Sequence, residues 1–105
     1  VRQPFANLIL SSTARAGLTA FLKTVATEVA GHGVTVNTVQ PGTHATDRIK
    51  QLYGSMEGAA EGIPAGVVGN PSDFGSVVAF LCSEQAKFVT GTHLQVDGGS
   101  YPGLI

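Results

Sequence analysis

The stretch EVAGHGVTVNTVQPG, residues 28–42, contains the signals that predict the fold. Gly31 and Gly33 end a helix, because glycine accepts the positive φ of a helix C-cap without a Cβ clash. Residues 34–39 alternate β-branched side chains, which predicts a strand, and the Pro-Gly pair that closes the stretch stops it sharply. A strand that follows a helix through a short glycine-rich turn is half of a βαβ unit.

Two helices are predicted around this strand. The first covers residues 11–30, where the hydroxyl side chains of residues 11–13 offer N-cap oxygens. Its apolar face recurs at spacings of three and four residues and consists of Leu18, Phe21, Leu22, Val25 and Val29. The second helix begins at Asn70 as N-cap, with Pro71 at the first helical position. Its predicted buried stripe consists of Phe74, Val77, Val78 and Leu81.

A second strand over residues 93–96 completes the order helix, strand, loop, helix, strand. That order predicts a parallel pair joined by a right-handed crossover. Two parallel strands are marginal alone and need layers on both faces. We therefore predict an α/β chain that is the C-terminal fragment of a larger parallel sheet. The first residue, Val1 rather than Met, fits a chain that is cut at its N-terminus.

Composition narrows the classes of protein. Hydrophobic residues make up 43% of the chain and charged residues 12%, which is too apolar for disorder and poor in charge for a free monomer. We expect other polypeptide, in cis or from partner subunits, to cover much of the surface. A net charge of −1 gives no reason to predict nucleic-acid binding. No apolar run approaches the ~20 residues of a membrane span, so no membrane association is predicted.

His32, His93 and the single cysteine predict no special chemistry. No pair of His, Cys or acidic residues has metal-ligand spacing, so we predict no metal site. Cys82 lies in an apolar run and is interpreted as a small buried hydrophobe, and its lack of a partner fits a reducing compartment. His32 and His93 receive structural interpretations, in a helix-to-strand turn and at the start of a strand.

Residues 43–69 form the least regular segment of the sequence. A short helix is predicted over residues 47–52, and the glycines that follow it break up any long element. A mobile flap over a ligand and a variable surface loop are both open interpretations of this segment.

Three segments together resemble the C-terminal part of the short-chain dehydrogenase/reductase family. They are residues 28–42, residues 63–73 (IPAGVVGNPSD) and residues 89–99 (VTGTHLQVDGG). Each is a weak signal alone, but the three in this order are specific. The resemblance covers nearly all of residues 1–105, as part of a single domain, and under half of a full family member. It is nearest to the 3-oxoacyl-carrier-protein-reductase-like branch.

The resemblance implies a Rossmann-type doubly wound parallel sheet and an NAD(P)-dependent oxidoreductase, cytoplasmic and homo-oligomeric. Such an enzyme transfers a hydride between NAD or NADP and a small-molecule carbonyl or alcohol. The fragment alone is expected to be inactive, because the family's glycine-rich pyrophosphate loop has no match here. Gly98 and Gly99 follow the last strand and begin no helix.

The nicotinamide end of the family's site has a counterpart in this chain. By resemblance, Pro41, Gly42 and Thr46 lie against the nicotinamide carboxamide, with His44 in the loop between them. A Pro-Gly break at the carboxyl end of a strand turns backbone N–H and C=O groups toward the crevice, and an amide ligand needs one donor and one acceptor. A purely structural strand-ending turn is the alternative interpretation.

The catalytic motif departs from the family. The Tyr-x-x-x-Lys motif falls without gaps on residues 11–15, which places Ser11 at the tyrosine and Arg15 at the lysine. In the family the tyrosine exchanges the substrate proton, while the lysine lowers the tyrosine pKa and binds the ribose. A serine hydroxyl is a far weaker acid than a tyrosine hydroxyl, whose pKa is about 10. Arg15 can still hold ribose hydroxyls through its planar fork.

Three interpretations of this departure stay open. A divergent reductase takes its proton from another group, such as Tyr53 or His44. A catalytically silent dinucleotide-binding or scaffold relative has lost the chemistry. In the third interpretation, the register of the motif is shifted by one or more residues.

Overall fold

The computed structural model describes residues 2–104. The helices are α1 (Ile9–Val29), α2 (Asp47–Tyr53), α3 (Met56–Ala60) and α4 (Pro71–Leu81), and the strands are β1 (Thr38–Pro41) and β2 (His93–Val96). Short 3-10 turns at Ala30–His32 and Glu84–Ala86 follow α1 and α4. The predicted α/β class is confirmed.

The strands β1 and β2 pair in parallel. Thr38 lies opposite His93 and Pro41 lies opposite Val96, so both carboxyl ends reach the same edge of the sheet. The parallel pair predicted from the order of elements is therefore confirmed. Ligands of open α/β sheets bind outside this carboxyl edge.

The first strand begins later in the sequence than predicted. The alternation predicts a strand over residues 34–39, whereas the ladder begins at Thr38. Before that point the side-chain amide of Asn37 joins the segments that lead into β1 and β2. Its Nδ2 donates to the Val89 carbonyl at 2.9 Å, and its Oδ1 accepts from the Thr92 N–H at 3.1 Å. These side-chain bonds accompany a backbone bond from the Gly91 N–H to the Val36 carbonyl at 2.8 Å, and the regular ladder starts only at Thr38, so the β-branched pattern overstates the strand at this end.

Gly33 and Asn70 mark helix ends as predicted, whereas the hydroxyl side chains of residues 11–13 do not. Gly33 adopts a φ of 74° after α1, and the Asn70 side chain accepts a backbone N–H in the first turn of α4. The N-cap predicted within residues 11–13 is wrong, because α1 already begins at Ile9. The Thr13 hydroxyl instead donates to the Ile9 carbonyl at 2.8 Å, the usual bond of a threonine inside a helix.

Most of the chain's apolar surface is not covered by the chain itself. The buried apolar residues are small or isolated: Ala26, Ala59, Leu81 and Ala86. The accessible surface is 7557 Å², whereas a compact monomer of this mass exposes about 5,500 Å². The radius of gyration is 15.4 Å, against about 13 Å for a compact domain of this length.

Apolar side chains of α1 and α4 are exposed for the same reason, and the burial predicted for Val78 is wrong, because this residue is 37% exposed. Leu18 and Phe21 belong to the predicted apolar face of α1 but are 55% and 64% exposed. Cys82 was expected to be a buried hydrophobe, yet it is the C-cap residue of α4 and is exposed, so that prediction is wrong. An apolar run predicts burial only where another layer covers it, and these faces have no layer within the described chain.

His93 begins β2, as predicted, and its Nδ1 lies 2.7 Å from the Thr38 hydroxyl. Burial lowers the pKa of His93 below its ordinary value of 6.5, and the charges of Arg2 and Lys23 lower it further. The folded chain therefore disfavours the cationic form, while the unfolded chain binds the proton at its ordinary pKa. The contribution of His93 to the free energy of unfolding is present above pH 6.5 and decreases as the pH falls through that value.

We expect the His93→Gln substitution to remove this pH dependence. The stability advantage of the wild type over the variant should be larger at about pH 8 than at about pH 5, because histidine changes its charge between these values. Urea denaturation of both proteins at the two pH values measures the difference. A stability advantage of the wild type that is equal at both pH values, or larger at about pH 5, would contradict a lowered pKa of His93.

Candidate active site at the carboxyl ends of the strands

Gly42 lies against the turn that follows β2. Its N–H donates to the Val96 carbonyl at 2.9 Å. A Cβ at position 42 would lie 2.7 Å from both the Cα and the Cβ of Asp97, which is closer than side chains approach backbone. Glycine at this position therefore allows the two strand ends to meet.

Asp97 organises the turn after β2. Its carboxylate accepts the N–H of Gly99 at 2.9 Å and the N–H of Tyr101 at 3.0 Å. Its carbonyl accepts the Ser100 hydroxyl at 2.7 Å. Sequence reasoning missed this role, although an aspartate before two glycines is a turn signal that could have revealed it.

Backbone hydrogen bonds anchor the segment between β1 and α4 at two places: at its base, where its two ends meet, and again where it returns past the turn after β2. At the base, the Ala45 N–H donates to the Gly69 carbonyl at 2.8 Å and the Gly69 N–H donates to the Thr43 carbonyl at 2.9 Å. On the return, the Ala65 N–H donates to the Gly98 carbonyl at 3.0 Å. The short helices α2 and α3 lie between these anchors.

Thr46 is the N-cap residue of α2. Its Oγ1 accepts the Ile49 N–H at 3.4 Å, a long bond that leaves the hydroxyl able to serve another group. The helix spans Asp47–Tyr53, so the predicted helix over residues 47–52 is confirmed to within one residue.

The ring of His44 is held by three contacts. Its Nδ1 lies 3.1 Å from the Gly42 carbonyl oxygen, and its edge meets Phe74 with ring centroids 5.1 Å apart at 82°. The ring also lies over Gly69, where a Cβ would come within 2.5 Å of its Cδ2 and 2.6 Å of its Nε2. Because a carbonyl oxygen can only accept, the bond to Gly42 requires the proton on Nδ1.

These residues surround an open cavity of about 320 Å³ at the carboxyl end of β1. Its walls are Pro41, Gly42, His44, Thr46, Ile49, Pro71 and Phe74. The structure thus brings together the four residues that the resemblance places at the nicotinamide. The volume falls within the range of ligand pockets, near its lower end.

Two backbone N–H groups next to this cavity have no hydrogen-bond partner within residues 2–104. They belong to Thr43 and His44. The N–H of Gly42, by contrast, is used in the bond to Val96. The free donors therefore follow the Pro-Gly pair rather than belonging to it.

Ser11 and Arg15 lie one turn apart on α1 and are not walls of this cavity. Ser11 is half-buried and Arg15 is exposed. Tyr53, at the end of α2, is 54% exposed and also lies outside the cavity wall. Of the two alternative proton donors, the structure places only His44 at the cavity.

A second cavity of about 490 Å³ shares Pro41 and Gly42 with the first. Its other walls come from residues 2–5, from Gln40 and Gln95, which lie opposite each other on β1 and β2, and from Asp97 and residues 100–102. The Pro-Gly turn is therefore a wall of both cavities.

A family profile described as Enoyl-(Acyl carrier protein) reductase matches residues 2–101. The chain belongs to the short-chain dehydrogenase/reductase family. The resemblance found in three segments of the sequence is confirmed, and so is the Rossmann-type class of the fold.

The short-chain dehydrogenase/reductase relatives are longer than this chain. The 3-oxoacyl-[acyl-carrier-protein] reductase FabG of Vibrio harveyi is 45% identical over 91 residues, which cover 86% of this chain and 37% of the relative. The NADPH-dependent reductase BacG of Bacillus subtilis is 34% identical over 98% of this chain and 44% of its own. The crystal structure of YwfH, an NADPH-dependent reductase involved in bacilysin biosynthesis, superposes with a TM-score of 0.90 at 34% identity, with coverage of 98% and 44%. The chain therefore spans less than half the length of these relatives.

Residues 2–104 contain neither a cluster of metal ligands nor a membrane-spanning helix. No three His, Cys, Asp or Glu side chains come together there as metal ligands. No helix in the same range combines the length and the apolar character that a bilayer crossing needs.

We expect Gly42→Ala to lower the free energy of unfolding of the complete protein by about 1–3 kcal/mol, because the new methyl group meets the Asp97 backbone, which has no rotamer to change. Gly31→Ala is the matched control, since a Cβ there meets nothing within 4 Å. Urea denaturation of the three proteins measures the change. Equal losses in both variants would show that the close approach at Gly42 is unimportant.

Proposed function

We propose that the chain forms the nicotinamide end of the active site in an NAD(P)-dependent oxidoreductase of the short-chain type. The complete protein transfers a hydride between the cofactor and a small-molecule carbonyl or alcohol. The observation that carries this proposal is the cavity at the strand ends. It gathers Pro41, Gly42, His44 and Thr46 beside two N–H groups that have no partner within the described chain.

The polar groups at this cavity match the needs of a carboxamide. An amide oxygen needs a donor, which the N–H of Thr43 or His44 can supply, and an amide NH₂ needs an acceptor, which Thr46 Oγ1 can supply. Pro41 and Phe74 add apolar surface for a flat ring. When bound, a reduced nicotinamide provides the hydride, while the chain's residues orient it and shield it from water.

NADP is the cofactor that we propose in preference to NAD. BacG and YwfH are both described as NADPH-dependent, and each aligns with 98% of this chain. The support comes from these relatives, because no residue of this chain matches the family position that selects between the two cofactors.

Ser11 and Arg15 take the motif positions where the family has tyrosine and lysine. Arg15 keeps a permanent positive charge and a planar fork, and we assign it to the ribose hydroxyls. Ser11 can hydrogen-bond the reacting oxygen, but its hydroxyl is too weak an acid to release a proton readily. The hydride goes to the carbonyl carbon, and the proton for the oxygen comes from water or a neighbouring acid.

The FabG relative suggests a 3-oxoacyl compound as the substrate class. We further propose that the complete protein is a cytoplasmic homo-oligomer. The exposed side chains of Leu18 and Phe21 on α1 and of Phe80 on α4 support the assembly, since apolar faces of this kind require cover.

We expect Thr46→Ala in the complete protein to weaken NADPH binding about fivefold to tenfold, the usual effect of one lost hydrogen bond. Thr46→Ser keeps both the hydroxyl and the N-cap of α2, so its affinity should stay within about twofold of wild type. NADPH fluorescence measures binding, and thermal unfolding reports any loss of the cap. Equal affinity in all three proteins would remove Thr46 from the site.

We expect Ser11→Ala to retain carbonyl reduction within about threefold, and Ser11→Tyr to raise kcat at least about tenfold, because general acid catalysis contributes about 10²–10⁴-fold. Both are measured by NADPH oxidation with a 3-oxoacyl thioester. Loss of activity in Ser11→Ala would make Ser11 itself the acid. A wild type that binds NADPH without turnover, combined with an active Ser11→Tyr variant, would establish the silent relative instead.

A further inference from the structure

We propose that Gly69 is a positioning residue for the nicotinamide end of the site and that it acts through the ring of His44. The ligand concerned is the nicotinamide of the proposed function, on which this inference rests. Gly69 is not a wall of the cavity. Its effect comes from the space that its missing side chain leaves for the ring.

Glycine is needed at position 69 for space and not for backbone conformation. Gly69 is not among the glycines with positive φ, so its backbone suits any residue. A Cβ there would nevertheless lie 2.5 Å from Cδ2 and 2.6 Å from Nε2 of His44. Ordinary contact begins at 3.4 Å, so the ring and the added methyl would have to separate by about 1 Å.

Two contacts restrain the ring of His44 against that move. Phe74 of α4 packs against its edge with ring centroids 5.1 Å apart. The bond from Nδ1 to the Gly42 carbonyl, 3.1 Å long, ties it to the end of β1. The backbone bonds of Gly69 to Thr43 and Ala45 hold the two segments in fixed register, so the strain has to pass into residues 43–46.

Residues 43–46 carry the groups assigned to the carboxamide. The free N–H groups of Thr43 and His44 and the hydroxyl of Thr46 lie on the backbone that carries this ring, so we expect a displaced ring to shift them. Hydrogen bonds weaken steeply once their distances and angles depart from the ordinary range, so a displacement of about 1 Å is enough to lose those that hold a carboxamide. His44 is then a fixed wall that aims its neighbours, not the proton donor of the reaction.

The test is a double-mutant cycle in the complete protein, built from Gly69→Ala, His44→Ala and the double variant. We expect Gly69→Ala to weaken NADPH binding at least about tenfold and to raise the KM for NADPH more than it lowers kcat. In the His44→Ala background the same substitution should cost less than about twofold, because no ring remains to be displaced. Gly75→Ala is the matched control, since a Cβ at this position of α4 meets nothing within 4 Å.

Three results would overturn the role of Gly69. They are an equal loss in both backgrounds, unchanged affinity in Gly69→Ala, and a His44→Ala variant that binds NADPH normally but has lost turnover. The last result would make His44 a proton donor.

Amide hydrogen exchange separates this role from the proposed function. The N–H groups of Ala45 and Gly69 are bonded across the base of the loop. Gly69→Ala should speed their exchange, and it should do so only when His44 is present. If the wild type binds no nicotinamide dinucleotide, the proposed function fails. The positioning role fails separately if exchange is unchanged in Gly69→Ala or speeds equally in both backgrounds.

Discussion

The close approach of two backbones at the carboxyl ends of β1 and β2 is the constraint on which the site depends. Gly42 lies where any side chain would overlap Asp97, and its N–H is bonded to Val96. From this contact the segment after β1 continues into residues 43–46, and the segment after β2 continues into the turn that the Asp97 carboxylate stabilises. Both cavities have the Pro-Gly turn as a wall, so their position is set by a backbone contact more than by the choice of lining side chains.

Signals that are local in sequence predicted most of the fold. Gly33 and Asn70 mark helix ends because the chemistry that ends a helix is contained in one or two residues. The hydroxyl run at residues 11–13 failed as a cap because α1 already begins at Ile9, so these hydroxyl groups lie inside the helix and that of Thr13 donates to the Ile9 carbonyl. The strand expected over residues 34–39 was displaced because the Asn37 side chain makes the cross-chain bonds there, and no alternation of residues encodes that.

The residues of the candidate site also fall into two groups, those that the sequence could place together and those that it could not. Pro41, Gly42, His44 and Thr46 are nearly contiguous, so a resemblance of sequence could place them together. Gly69 and Phe74 reach the same cavity region only because the loop returns to the sheet, and Gly69 looks in sequence like one more helix breaker. Burial could not be predicted either. The sequence identifies apolar side chains on α1 and α4, but several of them are exposed, because no layer within the described chain covers them.

The two anchors of the segment between β1 and α4 have a consequence for how this protein can change. One anchor joins Ala45 to Gly69, and the other joins Ala65 to Gly98. The chain between Ala45 and Ala65 is therefore a loop with a backbone hydrogen bond at each end. Lengthening such a loop costs little, about 0.6 kcal/mol for each doubling of its length. Residues 54–64 of this interval can accept insertions and deletions while the strand ends keep their shape, because Thr46 and Ile49, which line the cavity, lie before them.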